Sequence, residues 1–221
     1  MRKFLSSILM VVFACSLACF YLGCERSSWL LPYVSELKKD IYVGDNQDFN
    51  LKAYYGYKEN PYVSDGKVEP HPYTLTFMLL DIKESQTAYS LTIPCLNDCK
   101  LQFKKNNSGK LVSSVEIEDF NQTSFDVKLQ FSSQIIDVKM SSIVPENCLS
   151  LDSVLKKIEA EQSNLINNYV LDSNFNAEIY ARVIVKDDKV YWYIAFANKD
   201  GLKAFLVDGE SGEVLAIREV F

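Results

Sequence analysis

Between about residue 33 and residue 146 the chain alternates apolar and polar residues in short runs, and that pattern leaves few folds open. The clearest runs are DIYVGD (40–45), FNLKAYYGY (49–57), YTLTFMLLDI (73–82), AYSLTIP (88–94), KLQFK (100–104), KLVSSVEIE (110–118), SFDVKLQF (124–131) and IIDVKMSSI (135–143). A period of two puts one set of side chains in a core and the other in water, which is strand geometry. The connectors carry turn residues: Asn97-Asp98, Asn106 to Gly109, and Asn121-Gln122. Composition agrees, with 13 Tyr, 13 Phe and only 8 Gly and 6 Pro. Short strands at regular intervals predict an antiparallel β-sandwich over 33–146. The longest irregular stretch, Lys58 to His71, would be a polar connection or a binding loop. His71, between two prolines, reads as a surface residue.

After Pro145-Glu146-Asn147 the period changes. SLDSVLKKIEAEQSNLI (150–166) places Val154, Leu155, Ile158, Leu165 and Ile166 on one helical face, with Ser150 as N-cap and the helix able to run to about Asn168. Strand patterns return at 177–186, 189–197, 202–208 and 213–221, joined by turns at Asp187-Asp188, Asn198 to Gly201 and Gly209 to Gly212. Asp208 can accept hydrogen bonds from the amides of its turn, and Gly212 can take a left-handed conformation.

Trp192, followed by Val207-Asp208 and then Ser211-Gly212-Glu213-Val214-Leu215, resembles the PepSY domain, with Ser in place of the family's Thr. The resemblance implies one helix packed on a four-stranded antiparallel meander over 147–221. It also implies a non-enzymatic role in modulating a peptidase, with Trp192 or an open sheet edge as the partner contact. Upstream, KKDIYVGDNQDFNLKAYYG (38–56) resembles the first two strands of immunoglobulin-like domains of bacterial surface proteins. The expected fold class is therefore mainly β with an α+β end: signal segment, immunoglobulin-like sandwich, PepSY-like domain.

The N-terminus reads as an export signal: Arg2 and Lys3, then an uncharged apolar run from Phe4 to Leu22. Tyr21-Leu22-Gly23-Cys24 resembles a bacterial lipoprotein lipobox. That implies removal of 1–23, lipid on Cys24, a tether over 24–32 and attachment to the outer face of the cell membrane. Cleavage at Cys19, an uncleaved anchor, and plain secretion are the alternatives. A run this long is close to the ~20 residues that span a bilayer.

Of 6 cysteines, Cys95, Cys99 and Cys148 remain beyond this segment. A Cys95–Cys99 bridge across a hairpin is open in an oxidising compartment, as is a bridge from either to Cys148, as are three free thiols. A zinc site is not expected from one His and an odd number of Cys. Removing Arg2 and Lys3 with the leader takes the formal charge from −6 to −8, since no acid precedes Glu25. No basic stripe for nucleic acid is visible. Nor are HExxH, GxSxG, P-loop or GxGxxG motifs, so neither enzymatic chemistry nor a cofactor is expected. The leading expectation is a lipid-anchored regulator that binds an envelope protein or peptidase. The alternative is a structural or ligand-binding surface lipoprotein using the sandwich loops.

Overall fold

The computed structural model describes residues 26–59, 68, 71–82, 88–131 and 133–220. Cys24 and most of the 58–71 stretch lie outside them. The protein is mainly β. Among the described residues, 13 strands form one hydrogen-bonded sheet system and two more form a separate hairpin.

The first nine strands are β1 (Val34–Asp45), β2 (Asn50–Lys58), β3 (Thr74–Leu80), β4 (Tyr89–Ile93), β5 (Cys99–Gln102), β6 (Lys104–Lys105), β7 (Leu111–Glu116), β8 (Ser124–Phe131) and β9 (Gln134–Ser142). Following the hydrogen bonds from β1 gives β2, β3, β7 and β6 in one direction and β9, β8, β4 and β5 in the other. Only Phe103 separates β5 from β6, and its N–H donates to the Tyr89 carbonyl at 3.0 Å. The 99–105 segment therefore bends once, pairing with β4 before Phe103 and with β7 after it. The ring of strands closes through β1 at one corner and Phe103 at the other, which leaves it few free edges. Inside lie Tyr42, Leu51, Phe77, Leu91, Val127, Leu129 and Met140, each 2 % exposed or less.

The second half contains α1 (Leu151–Glu161), α2 (Ser163–Asn167), the hairpin β10 (Val170–Leu171) and β11 (Asn174–Phe175), and the meander β12 (Glu178–Lys186), β13 (Lys189–Asn198), β14 (Gly201–Asp208) and β15 (Val214–Val220). Ser150 caps α1, its Oγ accepting from the Ser153 N–H at 3.2 Å. Val154, Leu155 and Ile158 bury the inner face of α1. The helix does not run unbroken to Asn168. Gln162 leaves helical geometry at φ −119°, just before Ser163 and Asn164, both weaker helix formers, and α2 restarts after it.

The two halves share a strand. The N-terminal half of β1 pairs in parallel with β12, from Val34↔Ile179 to Lys38↔Arg182. Further along, Tyr42 and Val43 pair with Ser142 and Ser141 of β9. On its opposite side β1 pairs with β2 from Glu36 to Asp45. Alternate residues of β2 share one face. On that face Leu51, Ala53 and Tyr55 enter the first core, while Tyr57 packs against the second. One sheet face thus carries two cores. Strands β4, β8 and β9 cover one; α1 covers the other.

The stretch expected as a tether also docks. Leu30 is fully buried in the second core with Val34 and Leu37. The Ser28 N–H donates to Asp152 Oδ1 at 2.7 Å, and the Leu30 N–H donates to Glu159 Oε1 at 3.3 Å. Both acids lie on α1, and the Ser28 hydroxyl also donates to Glu159.

The pairing of β1 with β2 shifts register between Lys38 and Asp40, where the backbones crowd. A Cβ at Gly56 would stand 1.8 Å from the Leu37 carbonyl oxygen. Gly56→Ala is therefore expected to destabilise by more than ~3 kcal/mol, beyond the usual range for single substitutions. Urea denaturation would measure it, and a loss below ~1 kcal/mol would show that the strands separate freely at this point.

Candidate functional site

The residues singled out by the sequence do not converge. Cys24 lies outside the described residues. Cys95 is exposed and Cys99 half-buried, and both are free thiols, as is Cys148. Cys95 sits in a 3-10 turn that ends in left-handed Asn97 and Asp98, at φ 55° and 54°.

Trp192 is not a surface contact. It is 3 % exposed and belongs to the core under α1. Its indole N–H donates to the Leu149 carbonyl at 3.0 Å. The alternation of β13 puts Trp192 on the same face as Ile194 and Phe196, which is the covered one. His71 is likewise not a surface residue. Its side chain is 10 % exposed, and Nε2 lies 4.0 Å from Oε1 of Glu59, itself 5 % exposed.

Asp208 organises the last turn. Its Oδ1 accepts from the Glu210 N–H at 3.0 Å, the Ser211 N–H at 2.8 Å and the Ser211 hydroxyl at 3.0 Å. The backbone bond from Ser211 is the main reason its carboxyl lies below the usual range. Gly212 is left-handed at φ +76°, and a Cβ there would meet Lys157 Cδ of α1 at 2.2 Å. This turn is structural and brings no reactive group to a pocket. Among the described residues no three His, Cys, Asp or Glu side chains gather as metal ligands. No helix there is long and apolar enough to cross a membrane.

Two other features stand out. The first is a cleft of about 580 Å³ between the two cores. Lys39, Asp40 and Tyr42 of β1 line it, with Phe120 to Thr123 before β8, the 142–151 connection into α1, and Trp192 of β13. It lies where β9 and β12 part company along β1. Asp40 is its distinctive group. Burial raises the carboxyl above its ordinary value, and Lys39 opposes this only weakly, its Nζ standing 3.9 Å from Oδ2. That ammonium sits over the rings of Tyr55 and Tyr73, at 5.0 Å and 5.9 Å from their centroids. No hydrogen bond to the Asp40 carboxylate comes from any described residue. Burial also pushes the Cys148 thiol up. A contact from Trp192 pulls it down, and Asp40 and Glu210 raise it further, so the thiol stays protonated at neutral pH.

The second feature is the outer edge of β15. It ends the strand order, and among the described residues no strand pairs with its outer side. Leu215 and Ile217 on it are 46 % and 44 % exposed.

Sequence reasoning read Asp40 as the start of a strand and passed over it. The available signal was Lys38-Lys39-Asp40, three charges that interrupt the alternation where β1 bulges.

Compared with known protein families, curated proteins and solved structures, the chain gives no match.

Asp40 gives a pH signature. Its folded pKa lies above the unfolded one, so the native state holds the proton more tightly. Its contribution to stability falls as pH rises from the ordinary carboxylate value through the raised one, and the cost is complete above that. Asp40→Asn is therefore expected to raise the melting temperature at pH 7 by about 1–3 °C, under ~1 kcal/mol once solvent screening is counted. The gain should disappear below the ordinary carboxylate range. Calorimetric scans of both proteins across acid and neutral pH test this; a variant less stable at pH 7 would contradict it.

Proposed function

We propose that this chain is an exported, membrane-anchored, non-enzymatic binding module that holds an extended segment of another extracytoplasmic protein against the edge of β15. The observation that carries the reading is that edge. A terminal strand presents a row of backbone donors and acceptors, and the group that satisfies them best is the backbone of another extended chain. Natural edges are commonly guarded by charge or proline. Here Leu215 and Ile217 lie exposed on it, with Arg218 and Glu219 toward its end. Added side-chain burial would supplement the main-chain pairing.

The helix laid on a four-stranded meander supports the PepSY-like reading of 147–221, and the ring of antiparallel strands supports the immunoglobulin-like reading of the preceding part. On the PepSY analogy the held segment belongs to a peptidase, whose activity is modulated by occupancy of the edge. With Trp192 buried, the edge is the contact that remains from the sequence reading. The lipobox-like Tyr21 to Cys24 supports a lipid on Cys24 and a place on the outer face of the membrane. Leu30 and Ser28 are fastened to α1, so this reading leaves a tether only a few residues long.

Two measurements test the proposal. Cells expressing the full chain should incorporate radiolabelled palmitate, and Cys24→Ala should abolish it; unchanged labelling would rule out this anchor. In membranes, a captured extracytoplasmic protein should protect the outward amides of β15 from hydrogen exchange. Leu215→Lys with Ile217→Lys should weaken capture ~10-fold or more. Both side chains are exposed, so the melting temperature should hold. Protection confined to other strands, or capture unaffected by the double substitution, would defeat the edge reading.

A further inference from the structure

The cleft at the fork of β1 points to a second binding site, independent of the β15 edge. We propose that it takes an organic cation, a primary amine or guanidinium carried on a short aliphatic stem, with Asp40 as the anchoring carboxylate.

Its size fits. About 580 Å³ lies within the ~300–1,000 Å³ of small-ligand sites, which favour junctions between structural units. The charge of the ligand follows from Asp40. This carboxylate is half-buried, its side chain 32 % exposed, and receives no hydrogen bond from a described residue. Its one cationic neighbour among the described residues, Lys39, makes only a long ion pair with it at 3.9 Å and also lies over two tyrosine rings. Even partial removal of an ionised carboxylate from water without supplying donors costs some free energy. A ligand bearing several N–H donors and a positive charge supplies what the protein leaves out.

The remaining walls agree. Glu146 at the rim is also negative, and the other polar side chains of the lining, apart from Lys39, are uncharged at neutral pH. An anion would face two carboxylates with only the diverted Lys39 to offset them. A bare divalent ion would lack ligands, since no group of three suitable side chains gathers among the described residues. Tyr42, Val144 and Trp192 line the apolar part, and there the aliphatic stem would lie. Asp40 also reaches the neighbouring groups electrostatically: burial is the larger cause, and the charge of Asp40 adds to the upward shift of the Tyr42 hydroxyl and the Cys148 thiol. A bound cation would offset that Asp40 contribution.

The same chemistry is found on free polyamines and on lysine side chains of protein partners, so the test uses both. The full chain would be titrated calorimetrically with putrescine and, separately, with N-acetyl-lysine methylamide, with butyrate as the anionic control. The expected result is saturable binding of at least one amine, weakened ~10-fold or more in Asp40→Asn. That variant is isosteric and is expected to fold at least as stably as the parent, so loss of binding would not reflect loss of fold. Binding of putrescine alone assigns the site to free polyamines; binding of the lysine amide alone assigns it to a protein side chain. Absence of binding by both amines up to ~10 mM, equal binding by Asp40→Asn, or stronger binding of butyrate would each overturn the proposal.

Discussion

A single twelve-residue strand, β1, supplies hydrogen bonds to three neighbours, and the architecture depends on that sharing. Along one side it pairs with β2. Along the other it serves first β12 and then β9. Its first half belongs to the core under α1 and its second half to the ring of strands, so neither core is complete without it. Two changes of direction make this work. The register shift between Lys38 and Asp40 re-aims the strand, and Gly56 lets the β2 backbone approach at that point. The cleft between the cores lies where β1 passes from pairing with β12 to pairing with β9.

The strands themselves were legible because alternation is a local signal. In β8, SFDVKLQF buries Phe125, Val127, Leu129 and Phe131 and exposes the residues between them, as a period of two requires. The cap at Ser150 and the tight turns at Asp187-Asp188 and Asp208 to Gly212 are local as well. What was not legible is pairing between distant segments. SELKKD does not alternate cleanly, so the first half of β1 read as approach rather than strand. Its burial comes from contact with β12, about 140 residues later. Trp192 illustrates the same limit. Its position in an alternating run indicates that it shares a face with Ile194, but only the placement of α1 decides that the face is covered. His71 reads as exposed between prolines, and its burial beside Glu59 depends on how β2 and β3 bring the two together.

The candidate sites follow the same division. The β15 edge was foreseeable from the meander order, because the last strand of a meander has one free side. The cleft was not, since its walls come from β1, the turn before β8, the connection into α1, and β13. Asp40 acquires its character from that assembly: in the sequence it is one of 29 acids, and in the fold it is a half-buried carboxylate lining a cleft. An acid kept there against the interest of stability is the kind of compromise that functional sites make.

The measurement that bears most directly on the shared-strand account is equilibrium unfolding in urea followed by two reporters. The two tryptophans, Trp29 and Trp192, report the second core: Trp29 packs edge-on against Phe175, and Trp192 lies in that core itself. Pulsed hydrogen exchange of peptides from β3 and β8 reports the first. If β1 welds both cores into one cooperative unit, fluorescence and exchange give the same midpoint and the same slope. Two separated transitions, with the tryptophans reporting one and β3 and β8 the other, would contradict it and make the halves independent domains that merely touch.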